Sequence, residues 1–547
     1  MSHSVRTKGA YAYLPRLFGA LLVAFAFTAP VTSKALDLAT ARSDGALVSD
    51  ALDIARSEGW DAAQAFVSAA HPVVQDIVLW RKLRAGKGTT DEFQAYMSRR
   101  PTWPGQSVLN DVVYGRTSGS SGSLSGQAQE NWRTFRTLMR QDRYEEAETA
   151  ILNVTGTRAG LGDPEVWAKR RLSLARRAAR EGRWLNAYNI ASQHFLTTDA
   201  GYNYSDSEWV SGWVALRKLK DPARAITHFR RFRESVETPI SLGRGGYWLG
   251  RAYEAAGQAS LANRWYADAA QYQTSFYGQL AAAKVSAPGD RQLTLRELPD
   301  WRTHPMTQND DVRLAATLFY AGQDRLAMAT FSRLGENAPI GALAPLTRLV
   351  MDLGQPHYAV RIAKKAARRG VLIYPAYYPV HELGSYATKV EAAFALSIAR
   401  QETELNPRAI SRAGARGLMQ LMPATARRVA GWIGEEYSRS RLLTDWQYNA
   451  RLGETYLSRR TSQFGGSYVM AAAAYNAGAG RVDQWIDAYG DPRLGEIDMI
   501  DWMEQIPFNE TRNYVQRVME GLYVYRTRLS GTAGPMTIVQ DLSRGVR

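Results

Sequence analysis

Residues Ile398–Ala426 read IARQETELNPRAISRAGARGLMQLMPATA. An apolar helical run ends at an acid, Asn406-Pro407 stops it, a basic loop follows, and Gly417 opens what reads as a second helix. At 100° per residue, Glu402 falls within about 40° of Ala395 and Ile398 and about 60° of Ala399, the face that must be buried. Glu404 falls on the far side and reads as a surface acid. A carboxyl on the buried face at the last turn has poor access to water, which raises its pKa and keeps it protonated nearer neutrality, as a general acid requires. The competing reading is a structural ion pair with Arg400, Arg408 or Arg412.

Working outward, the rest of the chain is helical too. From about residue 37 to 370, helix follows helix with short polar breaks and almost no alternating strand pattern. Five segments share one scheme, a Gly, Asp or Asn turn followed by small and aromatic residues at helical spacing: Gln141–Leu152, Glu181–Phe195, Lys220–Phe232, Ala256–Ala270 and Ala321–Leu334. Several neighbours lie about 40 residues apart, the spacing of helix-pair arrays. Such pairs bury their apolar faces only by stacking, so an α-superhelix of loosely tetratricopeptide-like pairs is expected over residues 36–370, able in principle to close into a ring. Two prolines, two glycines and three tyrosines in Arg368–Gly384 mark its end. A second all-α domain is expected over 371–530, and a flexible tail over 531–547. Arg116–Gly126, RTSGSSGSLSG, reads as a flexible loop.

The first 35 residues differ from everything after them. Arg6, Lys8 and Arg16 precede the apolar run Leu17–Phe27, and Ser33-Lys34-Ala35 supplies small residues for cleavage, so 1–35 reads as a signal peptide and the mature protein as soluble in an exported compartment. An exported chain of 547 residues without cysteine relies on a large core instead of disulfides. It also lacks the thiol needed for a lipoprotein anchor. Net charge is +16, four of it in the leader. That favours an acidic polymer or anionic surface over cytosolic nucleic acid, although charge spread over helix faces for solubility looks the same in composition. Seven scattered histidines give no metal-ligand spacing, so neither metal nor cofactor is expected.

Four blocks, Ala399–Pro407, Gly414–Ala426, Ala474–Val482 (AYNAGAGRV) and Ile506–Val518 (IPFNETRNYVQRV), are similar in order and spacing to the lysozyme-like domain of the soluble lytic transglycosylases of bacterial cell walls. The resemblance covers Tyr378–Arg528, and Tyr247–Lys284 is similar to that family's superhelix. It implies that Glu402 is the single catalytic acid and that Ser411, Met419 and Gln420 line a sugar-binding cleft. Tyr475 and Asn476 match the family's tyrosine–asparagine pair, and Tyr514 a tyrosine near the acid. Thr403 stands where the family usually has Ser. The implied reaction cuts the β-1,4 bond between N-acetylmuramic acid and N-acetylglucosamine without water, leaving 1,6-anhydro ends. Peptidoglycan strands are the implied partner, with envelope proteins able to bind the array. A hydrolytic muramidase using a second carboxylate, and a wall-binding scaffold that does not cut, are the alternatives.

Overall fold

The computed structural model describes residues 35–106, 109, 124–154 and 158–546, so residues 1–34 of the expected leader and most of the Arg116–Gly126 loop lie outside the described residues. Residues 36–547 form one compact unit. Among the described residues there is no β-strand, only isolated bridges from Arg416 to Ile410 and Leu421. No described helix is long and apolar enough to cross a membrane.

Each of the five repeated segments is a helix that starts just after its turn: Tyr144–Val154, Trp184–Ser192, Pro222–Glu234, Ala259–Ala269 and Asp324–Asn337. Side-chain caps fix several starts. Asp221 accepts from the Arg224 amide at 3.0 Å, and Thr89 with Glu92 forms a reciprocal box around Thr90–Arg99. Stacking is driven by aromatics buried between successive helices. Trp248 meets Trp209 edge-on at 5.9 Å and lies 5.9 Å from Phe229.

The array folds back on itself. Helix Leu38–Ser57 packs on Asp310–Tyr320, where buried Asp44 and Arg313 pair at 3.0 Å. Leu36 donates its amide to the Thr307 carbonyl, and Arg100 reaches Asp310 at 2.6 Å. Closing contacts between the first hundred residues and those near 310 are what a superhelix needs in order not to splay open.

Beyond Arg368 only one-turn helices, Tyr374–Tyr377 and Leu383–Tyr386, precede the helix Ala392–Thr403 that carries Glu402. It lies against the long helix Asn509–Ser530. The array meets this region through buried charge. Glu504, fully enclosed, accepts from Tyr277 Oη at 2.5 Å and Gln516 Nε2 at 2.9 Å and pairs with Arg244 at 3.3 Å. Burial alone would raise its pKa, but Arg244, Arg176 and Arg512 outweigh burial and hold it below the usual carboxylate range. A one-turn π-helix, Val214–Lys218, presents Arg217 to both oxygens of Asp501.

The expected flexible tail is corrected. Ile538–Leu542 is a helix with Ile538 buried. Asp541, also buried, pairs with Arg526 at 2.6 Å, and Tyr523 Oη donates to the Gly534 carbonyl at 2.9 Å. Buried Ile538 and one acid that joins Arg526, an arginine also held by Glu391, are enough to tie the segment down, signals its Gly-rich start conceals.

Candidate active site

Glu402 sits in the last turn of its helix, with Ala395, Ile398 and Ala399 fully buried on the same face, as the helical wheel requires. The carboxyl keeps a partly accessible surface while protein fills most of the space around it. Loss of water pushes its pKa up to about 7, against the opposing hydrogen bond from Tyr514, and the charge of Glu510 adds to the rise. Tyr514 Oη donates to Glu402 Oε1 at 2.7 Å. The ion-pair alternative fails for Arg400, whose Nε donates to the Tyr377 carbonyl and whose guanidinium lies 3.8 Å over the Tyr378 ring. Arg408 and Arg412 are exposed and make no ion pair with Glu402 among the described residues.

The helix ends abruptly. Glu404 and Leu405 both take left-handed backbone, φ 56° and 70°, a conformation costing about 1 kcal/mol or more for each non-glycine residue. Glu404 is not the surface acid that the wheel suggests. Because the helix stops one residue earlier, its side chain swings toward the array helix Pro356–Arg368 and pairs with Arg361 and Lys364, each at 2.7 Å. Those cations outweigh burial and lower its pKa.

Residues 416–421 form a tight turn, not the expected helix start; the helix begins at Pro423. Gly417 (φ 79°) makes the turn possible, since an added Cβ would lie 2.0 Å from the Leu442 carbonyl oxygen. Asn449, fully buried, clamps the turn: its amide donates to the Arg416 and Leu442 carbonyls and its oxygen accepts from the Met419 amide. Thr403 Oγ1 donates to the Leu418 carbonyl at 2.8 Å, which ties the turn to the helix of Glu402. The hydroxyl that Thr shares with Ser is thus the part in use.

The sequence-derived residues fall into three groups. Glu402, Tyr514 and Tyr475 come together: Tyr475 donates to the Met419 carbonyl at 2.8 Å, and the Glu402 charge, after burial, raises its pKa. Asn476 lies one residue on and accepts from Thr511 Oγ1 at 2.7 Å, which joins the helices Tyr468–Ala477 and Asn509–Ser530. Gln420 uses its amide nitrogen on the Ala409 and Gly417 carbonyls, and Ser411 Oγ accepts from the Ala415 amide. Both are partly exposed and brace the loop beside the acid. Met419 is corrected: its side chain is fully buried against Gly453, so only its backbone reaches the site.

Sequence reasoning missed Glu510, Asn449 and Tyr456, whose ring meets Tyr475 edge-on at 5.4 Å. Glu510 was readable, since it precedes Tyr514 by four positions and so shares its helix face. Asn449 carries no such signal; a polar residue inside a helix looks exposed until its turn is known. Among the described residues no group of acids and histidines could hold a metal ion.

Residues 382–494 match the family model described as transglycosylase SLT domain. The soluble lytic murein transglycosylase of Escherichia coli K12 is 31% identical over 261 residues, 46% of this chain and 39% of the relative. The chain thus spans about two fifths of the length of the curated relatives it matches. Lytic transglycosylase Slt from Pseudomonas aeruginosa, solved as an inactive Glu-to-Gln mutant, aligns over 92% of this chain and 83% of its own at TM-score 0.52 and 21% identity. A 70-kDa soluble lytic transglycosylase solved with bulgecin A aligns over 92% and 99% at TM-score 0.52 and 18% identity. Residues 382–494 are therefore similar to the transglycosylase SLT domain, within a chain that shares the helical superhelix and lysozyme-like fold of the solved soluble lytic transglycosylases.

Proposed function

We propose that this protein is a periplasmic lytic transglycosylase that cleaves peptidoglycan between N-acetylmuramic acid and N-acetylglucosamine, with residues 371–530 cutting and residues 36–370 forming the array. The observation that carries this reading is the single carboxyl Glu402, held by Tyr514 and desolvated until its pKa reaches about 7. At that value the group is protonated in about half the molecules at neutral pH and exchanges its proton readily in both directions.

Glu402 first gives its proton to the glycosidic oxygen. Tyr514, already donating to Oε1, stabilises the carboxylate left behind. The positive charge developing at C1 is met by the sugar's own N-acetyl oxygen. Carboxylate Glu402 then takes the proton of the muramyl 6-hydroxyl as that oxygen bonds to C1, which restores the acid and closes the 1,6-anhydro ring. Attack from within the same sugar gains from proximity, so the site needs no second nucleophile. Gln420, Ser411 and the backbone at Met419 flank the acid as the sugar-binding side, with Tyr475 and Asn476 bracing it from behind. The inactive Glu-to-Gln mutant of the Pseudomonas aeruginosa relative supports an essential glutamate in this fold.

Glu510 keeps the muramidase reading in view. It is exposed, its charge reaches Glu402, and it is a carboxylate of the kind that could activate water. Mass spectrometry of fragments released from isolated peptidoglycan separates the two. Muropeptides lighter by one water, absent with Glu402→Gln, are expected; reducing-end sugars would establish hydrolysis, and no release would leave a wall-binding scaffold.

A further inference from the structure

Helix Pro72–Arg84 ends in Arg81 and Arg84, and helix Asp324–Asn337 carries Arg325 in its first turn. With Trp60 these three arginines line one recess of about 630 Å³. Arg81 donates only to the neutral Gln323 Oε1, at 3.4 Å, and Arg84 lies 5.3 Å over the Trp80 ring. Neither has a carboxylate partner among the described residues, whereas Lys82 between them is tied to Asp61 and Glu92. Burial and the neighbouring charge of Arg84 both push the Arg81 pKa down, the mark of cations crowded without a counter-ion.

Helix-end electrostatics explain part of this. Cations in the last turn of Pro72–Arg84 face the negative end of its dipole. Arg325 has no such reason, because it occupies the first turn of its helix, where the unpaired N–H groups are already positive and no side chain caps them. Against three guanidiniums and that helix end stands one carboxylate in the lining, the exposed Asp324.

We propose that this recess binds a carboxylate-bearing saccharide, the arginines taking the carboxylate and the Trp60 indole a sugar face. Planar guanidiniums match carboxylates bidentately, and one indole beside them offers an apolar face for a sugar ring. The source of the saccharide rests on the peptidoglycan reading above. The recess shares Asp324 and Arg325 with a groove of about 860 Å³ whose opposite wall is Leu405–Ile410, three residues beyond Glu402. A strand lying along that groove would meet the basic recess on the array.

The test uses the full chain as Glu402→Gln, so that nothing is cut. Three chains are compared: this one, the same with Arg81→Ala and Arg84→Ala, and the same with Arg140→Ala and Arg264→Ala, which removes equal charge at exposed positions. Citrate is titrated calorimetrically and purified sacculi are pelleted with each. The recess pair is expected to weaken both by about tenfold, the loss of charge-assisted contacts, and the control pair neither. Arg325→Ala, exposed and on the other helix, is expected to act in the same direction and serves if the first pair fails to fold. Recess variants that match the control in both assays overturn the site. Citrate binding that depends on Arg81 and Arg84 with no chain pelleting on sacculi supports the carboxylate site and overturns peptidoglycan as its source, together with the proposed function.

Discussion

At Glu402 the pKa shift sets both activity and stability against pH. In the unfolded chain this carboxyl ionises near 4.5, in the fold near 7. Below 4.5 it is protonated in both states and costs nothing. Above that, the unfolded chain sheds a proton that the folded chain retains, so stability falls as pH rises and the loss is complete above 7. The full gap corresponds to about 3.5 kcal/mol at most, since one unit is worth about 1.4. Glu402→Gln is therefore expected to abolish cleavage yet be more stable than the wild type at pH 8 and equal to it at pH 4. Urea melts at the two pH values check this; equal differences at both would mean that the carboxyl is not desolvated. The buried placement of Glu402 was legible because an ideal helix fixes its neighbours. Glu404 was not, because the wheel was extended past the residue where the helix ends.

At the scale of elements, the site depends on one crossing. Helices Ala392–Thr403 and Asn509–Ser530 touch through Gly521, where an added Cβ would stand 2.8 Å from Ser397 Oγ. Glu402 and Tyr514 lie farther along the same contact, so spacing at Gly521 is passed to their hydrogen bond. Gly521→Ala is expected to cost about 1–3 kcal/mol in a denaturant titration, as overpacking does, while turnover falls by more than the folded fraction explains. A loss of turnover that only tracked unfolding would count against this geometry. Helix spans and breaks were readable from turn residues and periodicity. The choice of partner helix was not, since Gly521 pairs with a residue more than a hundred positions away. The 416–421 turn was misread for the same reason: Asn449, which holds it, lies some thirty residues on.

For the whole molecule, the array and the region of the SLT-domain match are fastened by charges that have left water. Removing Glu504 would leave Arg244, Arg176 and Arg512 facing one another, and breaking a buried ionic cluster in this way costs about 3–5 kcal/mol. Glu504→Ala is expected to lower the denaturation midpoint accordingly, and a change below about 1 kcal/mol would show that the cluster adds nothing. Because its folded pKa is depressed, Glu504 stabilises above its unfolded value, and that contribution drains away as pH falls below about 4.5. Wild-type stability should therefore drop on acidification more than that of the variant. Repeat spacing announced the array, and four short blocks announced the second domain. Nothing local announced how they dock: Arg217 and Tyr277 reach Asp501 and Glu504 across more than two hundred positions, and even Glu404 finds its cations about forty positions back.

Glu404 gives this docking a mechanical meaning. Two residues past the proposed acid, the chain is moored to Arg361 and Lys364 on an array helix. A pull on the array, from a taut glycan strand or a bound neighbour, is transmitted along a tether of two residues to the carboxyl that would do the cutting. In that sense the array is a strain gauge wired to the blade: displacement of the helix Pro356–Arg368 is passed through the Glu404 mooring to the turn that holds Glu402.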